Sequence, residues 1–217
     1  MAELFLHILN AGNRFDAETL EKINRAVRRA EKFAKQKLLL GSVDIVCAAA
    51  NYTIDFSGGI SGYTPNQYLI YINIDLESNS LNEDDIYVTL CHELAHATRY
   101  NLLNYADNRN VKLLEYAVFE GLGVAIECES LNGKDSKFSR EMKKRKNTAE
   151  LIERYQPKFN SSDYSSSDFR DGNADKGIPR WAIYEIGYYL VRKKLRENGA
   201  NASQLLGLQP DVFCQIK

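Results

Sequence analysis

His92-Glu93-Leu94-Ala95-His96 lies inside the apolar run from Ile86 to Ala97, and the rest of the chain is read outward from that pentad. Residues four apart share one face of an α-helix, so both imidazoles can reach a single metal ion at about 2.0–2.1 Å. Glu93 sits one step round the helix. It is therefore beside the ion without competing for it, and can accept a proton from water made acidic by zinc. H-E-x-x-H on a helix is thus a zinc site with a built-in general base. The chain holds three histidines, and the pentad uses two of them. Ser80-Leu81-Asn82-Glu83 reads as a capping box opening this helix, which the apolar pattern carries to residue 103.

Two later segments stand out. Glu120-Gly121-Leu122-Gly123-Val124-Ala125-Ile126-Glu127 follows His96 after 23 residues (97 to 119), and Glu115 follows it after 18 (97 to 114). Positions 115 and 120 differ by about 140° around a helix, so one metal can take only one of them. The glycine pair is expected to face the motif helix and let the two backbones approach closely. Nearer the C-terminus, Pro179-Arg180-Trp181-Ala182-Ile183-Tyr184-Glu185-Ile186-Gly187-Tyr188 starts with proline at a first helical position and spaces Tyr184 and Tyr188 four apart. With thirteen tyrosines in the chain, that aromatic face also reads as ordinary packing.

In order, the chain runs from an Ile-rich strand (Tyr68 to Asp75) through the pentad, the E-G-L-G helix and W-A-x-Y-x-x-G-Y to a Leu205-Leu206 tail. This series resembles the predicted zinc-dependent proteases of a domain family of unknown function, akin to the minimal gluzincins. The aminopeptidase N-like gluzincins carry their zinc-binding glutamate in an E-G-x-A-x-x-x-E run, and the segment from Glu120 is similar, with Gly123 where alanine is usual. The resemblance implies an α+β, zincin-like (gluzincin) fold and zinc-dependent hydrolysis of a peptide or protein substrate. It implies one zinc per chain on His92, His96 and Glu120, with Glu115 as the rival third ligand at a common gluzincin interval. Glu93 is then the base, and Tyr184 or Tyr188 the hydrogen-bond donor to the oxyanion. Relatives with a carboxylate four residues after the zinc glutamate use it to orient a histidine. Position 124 is valine here, so Glu127 or a carbonyl takes that role. The acidic amine-binding motif of aminopeptidases has no equivalent in this sequence, which leans toward an endopeptidase or short-peptide hydrolase. The alternative is a non-catalytic zincin-fold module that binds zinc or a peptide; Glu93 speaks against it, because a structural metal site needs no base.

At 217 residues and 44% apolar, the chain can bury one core as a single domain spanning 1–217 without disulfides. A net charge of −1 argues against nucleic acid or an anionic membrane as the main partner. Cys47, Cys91, Cys128 and Cys214 form no C-x-x-C pair and read as reduced thiols. Leu4 to Leu9 follows Glu3, is too short for an export signal and reads as a first strand, so a soluble, cytoplasmic protein is expected.

The remaining pattern predicts a small N-terminal sheet and a mainly helical C-terminal half. Strands are expected at Leu4–Leu9, Val43–Ala49 and Tyr68–Asp75, with Tyr68, Ile70, Ile72 and Ile74 facing the core. Asp16 opens a helix with an apolar stripe from Leu20 to Ala34, and residues 58 to 66 read as a Gly/Pro turn region. The strand before the motif helix reads either as an ordinary strand or as a sheet edge over the metal, open to strand addition by a peptide. Helices follow at 81 to 103, 110 to 131, 136 to 155 and 179 to 198, with a last turn near 203 to 207. Lys143-Lys144-Arg145-Lys146 reads as a solvated helix face, and the Ser/Asp-rich stretch from Lys158 to Gly177 as a long loop, either lid or connector.

Overall fold

The computed structural model describes residues 2–50, 58–78, 80–104 and 111–214. Alternation of apolar and polar positions builds strands β1 (Glu3–Leu9), β2 (Ser42–Ala50), β3 (Ile60–Asn66) and β4 (Leu69–Asp75). They form one sheet in the order β1-β2-β4-β3, with β1, β2 and β4 parallel and β3 antiparallel to β4. Val43, Ile45 and Cys47 of β2 and Ile70, Ile72 and Ile74 of β4 bury one face, while Tyr63 and Tyr71 stack on the other at 6.4 Å between ring centroids. Tyr68 departs from the expected inward face. It lies in the turn before β4 and is 64% exposed.

Residues 58 to 66 are not a plain turn region, since β3 occupies 60–66. Gly62 and Pro65 are compatible with a strand here because β3 pairs only with β4 among the described residues, and the register is irregular between Tyr63 and Asn66. This places β3, rather than β4, at the sheet edge next to the motif helix.

Helix α1 (Ala17–Lys37) is capped by Asp16, whose carboxylate accepts from the Thr19 N–H, and buries Ile23, Ala26, Val27, Ala30, Phe33 and Ala34. Helix α2 (Glu83–Leu103) starts at a different cap from the expected Ser80. Asn82 accepts from the Asp85 N–H, and Glu83, now at the first helical position, is tied to Arg25 and Arg29 of α1 at 2.7 Å each. Helix α3 (Leu113–Ser130) has no side-chain cap; the Leu113 and Leu114 N–H groups donate instead to the carbonyls of Ser161 and Phe159. That pairing, with Phe159 and Phe169 buried, ties the Ser/Asp-rich stretch down. It carries helix α6 (Ser166–Asp171) and is a folded wall rather than a structureless loop.

The helix expected over 136 to 155 is two, α4 (Lys137–Lys143) and α5 (Thr148–Tyr155), broken at the basic run. The break lets both pack on α7 (Ala182–Asn198), with Thr148 donating to the buried Glu185 carboxylate at 2.7 Å. Helix α7 begins after Trp181 rather than at Pro179. Trp181 holds a left-handed conformation (φ 65°) that turns its ring against Phe138 and Tyr184. A short α8 (Ala202–Leu205), opened by an Asn201–Gln204 capping box, and a 3-10 turn at Pro210–Phe213 follow. The result is α+β: a four-stranded sheet with a mostly helical remainder sharing a continuous core. Among the described residues no helix is long and apolar enough to cross a membrane, and all four cysteines are free thiols.

Candidate metal centre

Helices α2 and α3 supply the centre between them. His92, His96 and Glu120 are all buried, and one ligand atom from each lies within 4.8 Å of the others. Glu120 Oε2 is 3.3 Å from His92 Nε2 and 3.4 Å from His96 Nε2. Both exceed the usual N–H···O range of about 2.7–3.2 Å. They match the separation of about 3.3–3.4 Å between two ligand atoms that a tetrahedral ion with 2.0–2.1 Å bonds imposes. One oxygen placed almost equally from two imidazole nitrogens fits the geometry of metal ligands, and a donor set of two imidazoles and a carboxylate suits zinc.

Each imidazole is held from behind. His92 Nδ1 lies 2.7 Å from Glu127 Oε1, and Glu127 Oε2 accepts from the hydroxyl of Ser136, the cap of α4. Glu127 is two helical turns after Glu120 on α3, so both carboxylates face the same imidazole. The carboxylate fixes which ring nitrogen points at the metal position. His96 lies flat on Phe119, 3.9 Å between centroids and 4° between planes, and its Nδ1 has no hydrogen-bond partner among the described residues.

The electrostatics agree with cation binding. Burial alone would disfavour the His92 imidazolium, yet the Glu120 and Glu127 carboxylates outweigh it and raise its pKa well above the ordinary value. Burial likewise opposes the Glu120 charge, but His96 and His92 pull its pKa down to about 2. The cluster thus favours positive charge at its centre, as a cation-binding site requires.

A sequence-family model described as a predicted Zn-dependent protease (DUF2268) matches residues 20–215, from α1 to the C-terminal turn. The chain belongs to this family. No curated protein and no solved structure matches the chain.

Further groups lie beside the cluster. Glu93 is buried, and its Oε2 accepts from the Thr64 hydroxyl of β3 at 2.7 Å. A Cβ on Gly62 would lie 2.4 Å from the Glu93 side chain, so a glycine on the edge strand makes room for the carboxylate. Tyr184 of α7 reaches the same place, 6.4 Å from His92 between ring centroids. Burial first, and then the negative Glu120, keep its hydroxyl protonated well above the ordinary tyrosine range, so it remains a donor. Tyr188 is turned away; its hydroxyl lies 3.5 Å from Cys128 Sγ, which removes it from the site. One helical turn separates the two phenols, and the approach of α7 to α3 decides which one faces the metal position. Glu115 is outside the cluster, on a cavity wall. The third histidine, His7, pairs with Asp44 at 2.6 Å on the sheet.

Two cavities, of about 360 and 530 Å³, flank the centre and share Gly62, Glu93 and Tyr184. Thr64, Gly62 and Ser136 were not legible as site residues. No motif surrounds them; Gly62 and Thr64 meet Glu93 from about thirty residues away, and Ser136 reaches Glu127 across the turn between α3 and α4.

Only one glycine of the E-G-L-G run, Gly123, faces the motif helix as expected, against a side chain; the backbone-to-backbone approach is made by Gly121 with α7. Positions 121 and 123 point to different sides of α3. A Cβ on Gly121 would lie 2.2 Å from the Gly187 carbonyl carbon of α7, and one on Gly123 would lie 2.5 Å from the His92 ring. Gly187→Ala is expected to drive α3 and α7 apart, because its Cβ would be 1.7 Å from the Ala117 carbonyl oxygen. Overpacking of this kind costs about 1–3 kcal/mol or more, a melting-temperature fall of several degrees by calorimetry. Gly123→Ala should instead lower zinc content at a smaller cost in stability, since a side chain is displaced rather than a backbone. Equal melting temperatures for the wild type and Gly187→Ala would contradict this packing.

Proposed function

We propose that the protein is a zinc-dependent metallopeptidase with a zincin-like, gluzincin-type fold that hydrolyses peptide bonds. The observation that carries the reading is Glu120 Oε2 at 3.3 and 3.4 Å from the two Nε2 atoms, with a non-ligating carboxylate, Glu93, buried alongside. His92, His96 and Glu120 hold one zinc per chain. When bound, zinc supplies Lewis acidity toward a substrate carbonyl and a water molecule.

The chain's own residues do the rest. Thr64 occupies Glu93 Oε2, leaving Oε1 to take a proton from the attacking water and to pass it to the leaving amine. Tyr184 donates to the oxygen on which negative charge grows. Glu127, anchored by Ser136, keeps the His92 ring from rotating. An extended peptide lies along β3 by strand addition, which brings its backbone over Glu93. A peptide or protein is therefore the substrate, cleaved internally, in a reducing cytoplasmic setting that suits the four free thiols.

The test is metal removal. Protein purified without added zinc is expected to carry about one zinc per chain by plasma emission and to cleave members of a peptide library by mass spectrometry. Chelation should abolish both, and zinc alone should restore both. Cleavage that survives complete removal of the metal would sink the proposal.

A further inference from the structure

The 530 Å³ cavity on the His96 side of the centre holds one charge that no group among the described residues pairs with. Glu115, at the third position of α3, lines it half-buried and has no hydrogen-bond or ion-pair partner among the described residues. The other charges there are accounted for. Arg170 is held by Asp171 through Nε and Nη2, both at 3.0 Å. Glu93 accepts from Thr64, and Glu120 faces the two imidazoles. A dication at the centre cancels Glu93 and Glu120, so Glu115 leaves this side of the cleft with a net negative charge.

The surroundings define what fits that charge. Tyr100, Tyr116, Phe119 and Tyr164 supply aromatic walls around the cavity. An aliphatic stem packs on such rings, and a cation at its end is attracted to their faces as well as to the carboxylate. Distance separates side chain from terminus. Five helical positions put Glu115 about 7.5 Å from Glu120 along the α3 axis. The end of a lysine or arginine side chain spans that offset, whereas an α-ammonium beside a scissile carbonyl falls short of it.

We infer that Glu115 is a substrate-recognition residue, selecting peptides with a lysine or arginine side chain beside the scissile bond on the His96 side. This rests on the peptidase reading above. Glu115 is thereby a specificity carboxylate, five residues before Glu120 on the same helix. Its ordinary alternative is to stabilise the N-terminus of α3 through the helix dipole, which affects stability and leaves substrate choice alone.

Two measurements test it. Zinc-loaded wild type and Glu115→Gln digest the same peptide library, and zinc-loaded Glu93→Gln, with and without Glu115→Gln, is titrated with matched peptides carrying lysine or its neutral isostere norleucine. Wild-type cleavage sites should be enriched in lysine and arginine. The lysine peptide should bind about tenfold more tightly than the norleucine peptide, and Glu115→Gln should erase both preferences with zinc content unchanged. Glu115→Lys should turn the preference toward acidic side chains. A preference intact in Glu115→Gln, with only the melting temperature changed, overturns the inference. So does loss of zinc in Glu115→Gln, or a preference that follows a free amino terminus and vanishes on acetylation. If the wild type cleaves nothing while the Glu93→Gln protein still prefers the lysine peptide, the peptidase reading falls and the cation subsite stands. Cleavage indifferent to lysine and arginine does the reverse.

Discussion

Glu93→Gln is expected to lower peptide turnover by roughly 10²–10⁴-fold, the usual cost of losing a general base. The amide keeps the shape of the carboxylate, and its oxygen can still accept from Thr64, so fold and zinc content should not change. Nothing else is positioned to take the proton: among the described residues Glu127 is engaged by His92 and Ser136, and Glu115 lies on the cavity wall. Tyr184→Phe should cost less, lowering kcat with little effect on KM, because it removes a donor that acts on charge formed only in the transition state. The assay is library digestion by mass spectrometry, with the Glu93→Gln protein as the control for contaminating proteases. If wild type and variant cleave alike, or neither cleaves while both hold zinc and bind a peptide equally, the chain is a non-catalytic zinc and peptide module.

The second large effect concerns the metal. His96→Ala and Glu120→Ala each remove one member of the buried His92–His96–Glu120 cluster proposed to hold zinc, and each is expected to leave the purified protein with almost no zinc. Glu127→Gln touches His92 from behind and should weaken zinc binding by only about 10–100-fold. Glu115→Ala should keep the full zinc content, because that carboxylate is not in the cluster. Plasma emission on the four variants decides the ligand set. Retention of zinc by Glu120→Ala together with loss by Glu115→Ala would reverse it. Since the Glu120 charge is held down in pKa by the two histidines, its removal also leaves the buried His96 without a carboxylate and His92 with Glu127 alone, and some loss of stability accompanies the loss of metal.

What the sequence determined by itself is whatever a single element's periodicity contains. His92 and His96 fall on one face because a helix repeats every 3.6 residues, and the same geometry puts Glu120 and Glu127 together and sets Glu115 apart. The period-two pattern of Val43, Ile45, Cys47 and of Ile70, Ile72, Ile74 likewise announces their strands. Tertiary structure decided where those elements meet. Tyr184 and Tyr188 are equivalent along α7, and only its packing on α3 through Gly121 and Gly187 turns one toward His92 and the other toward Cys128. A Gly/Pro stretch became edge strand β3 because pairing with β4 and contact with Glu93 reward it, neither of which is local information. The 136–155 segment broke because both halves pack on α7, a long-range gain that outweighs the cost of one helical turn. Support for Glu93 from Thr64 and for Glu127 from Ser136, and a Glu115 carboxylate unpaired among the described residues, are likewise properties of contacts between separate elements, which local periodicity does not encode.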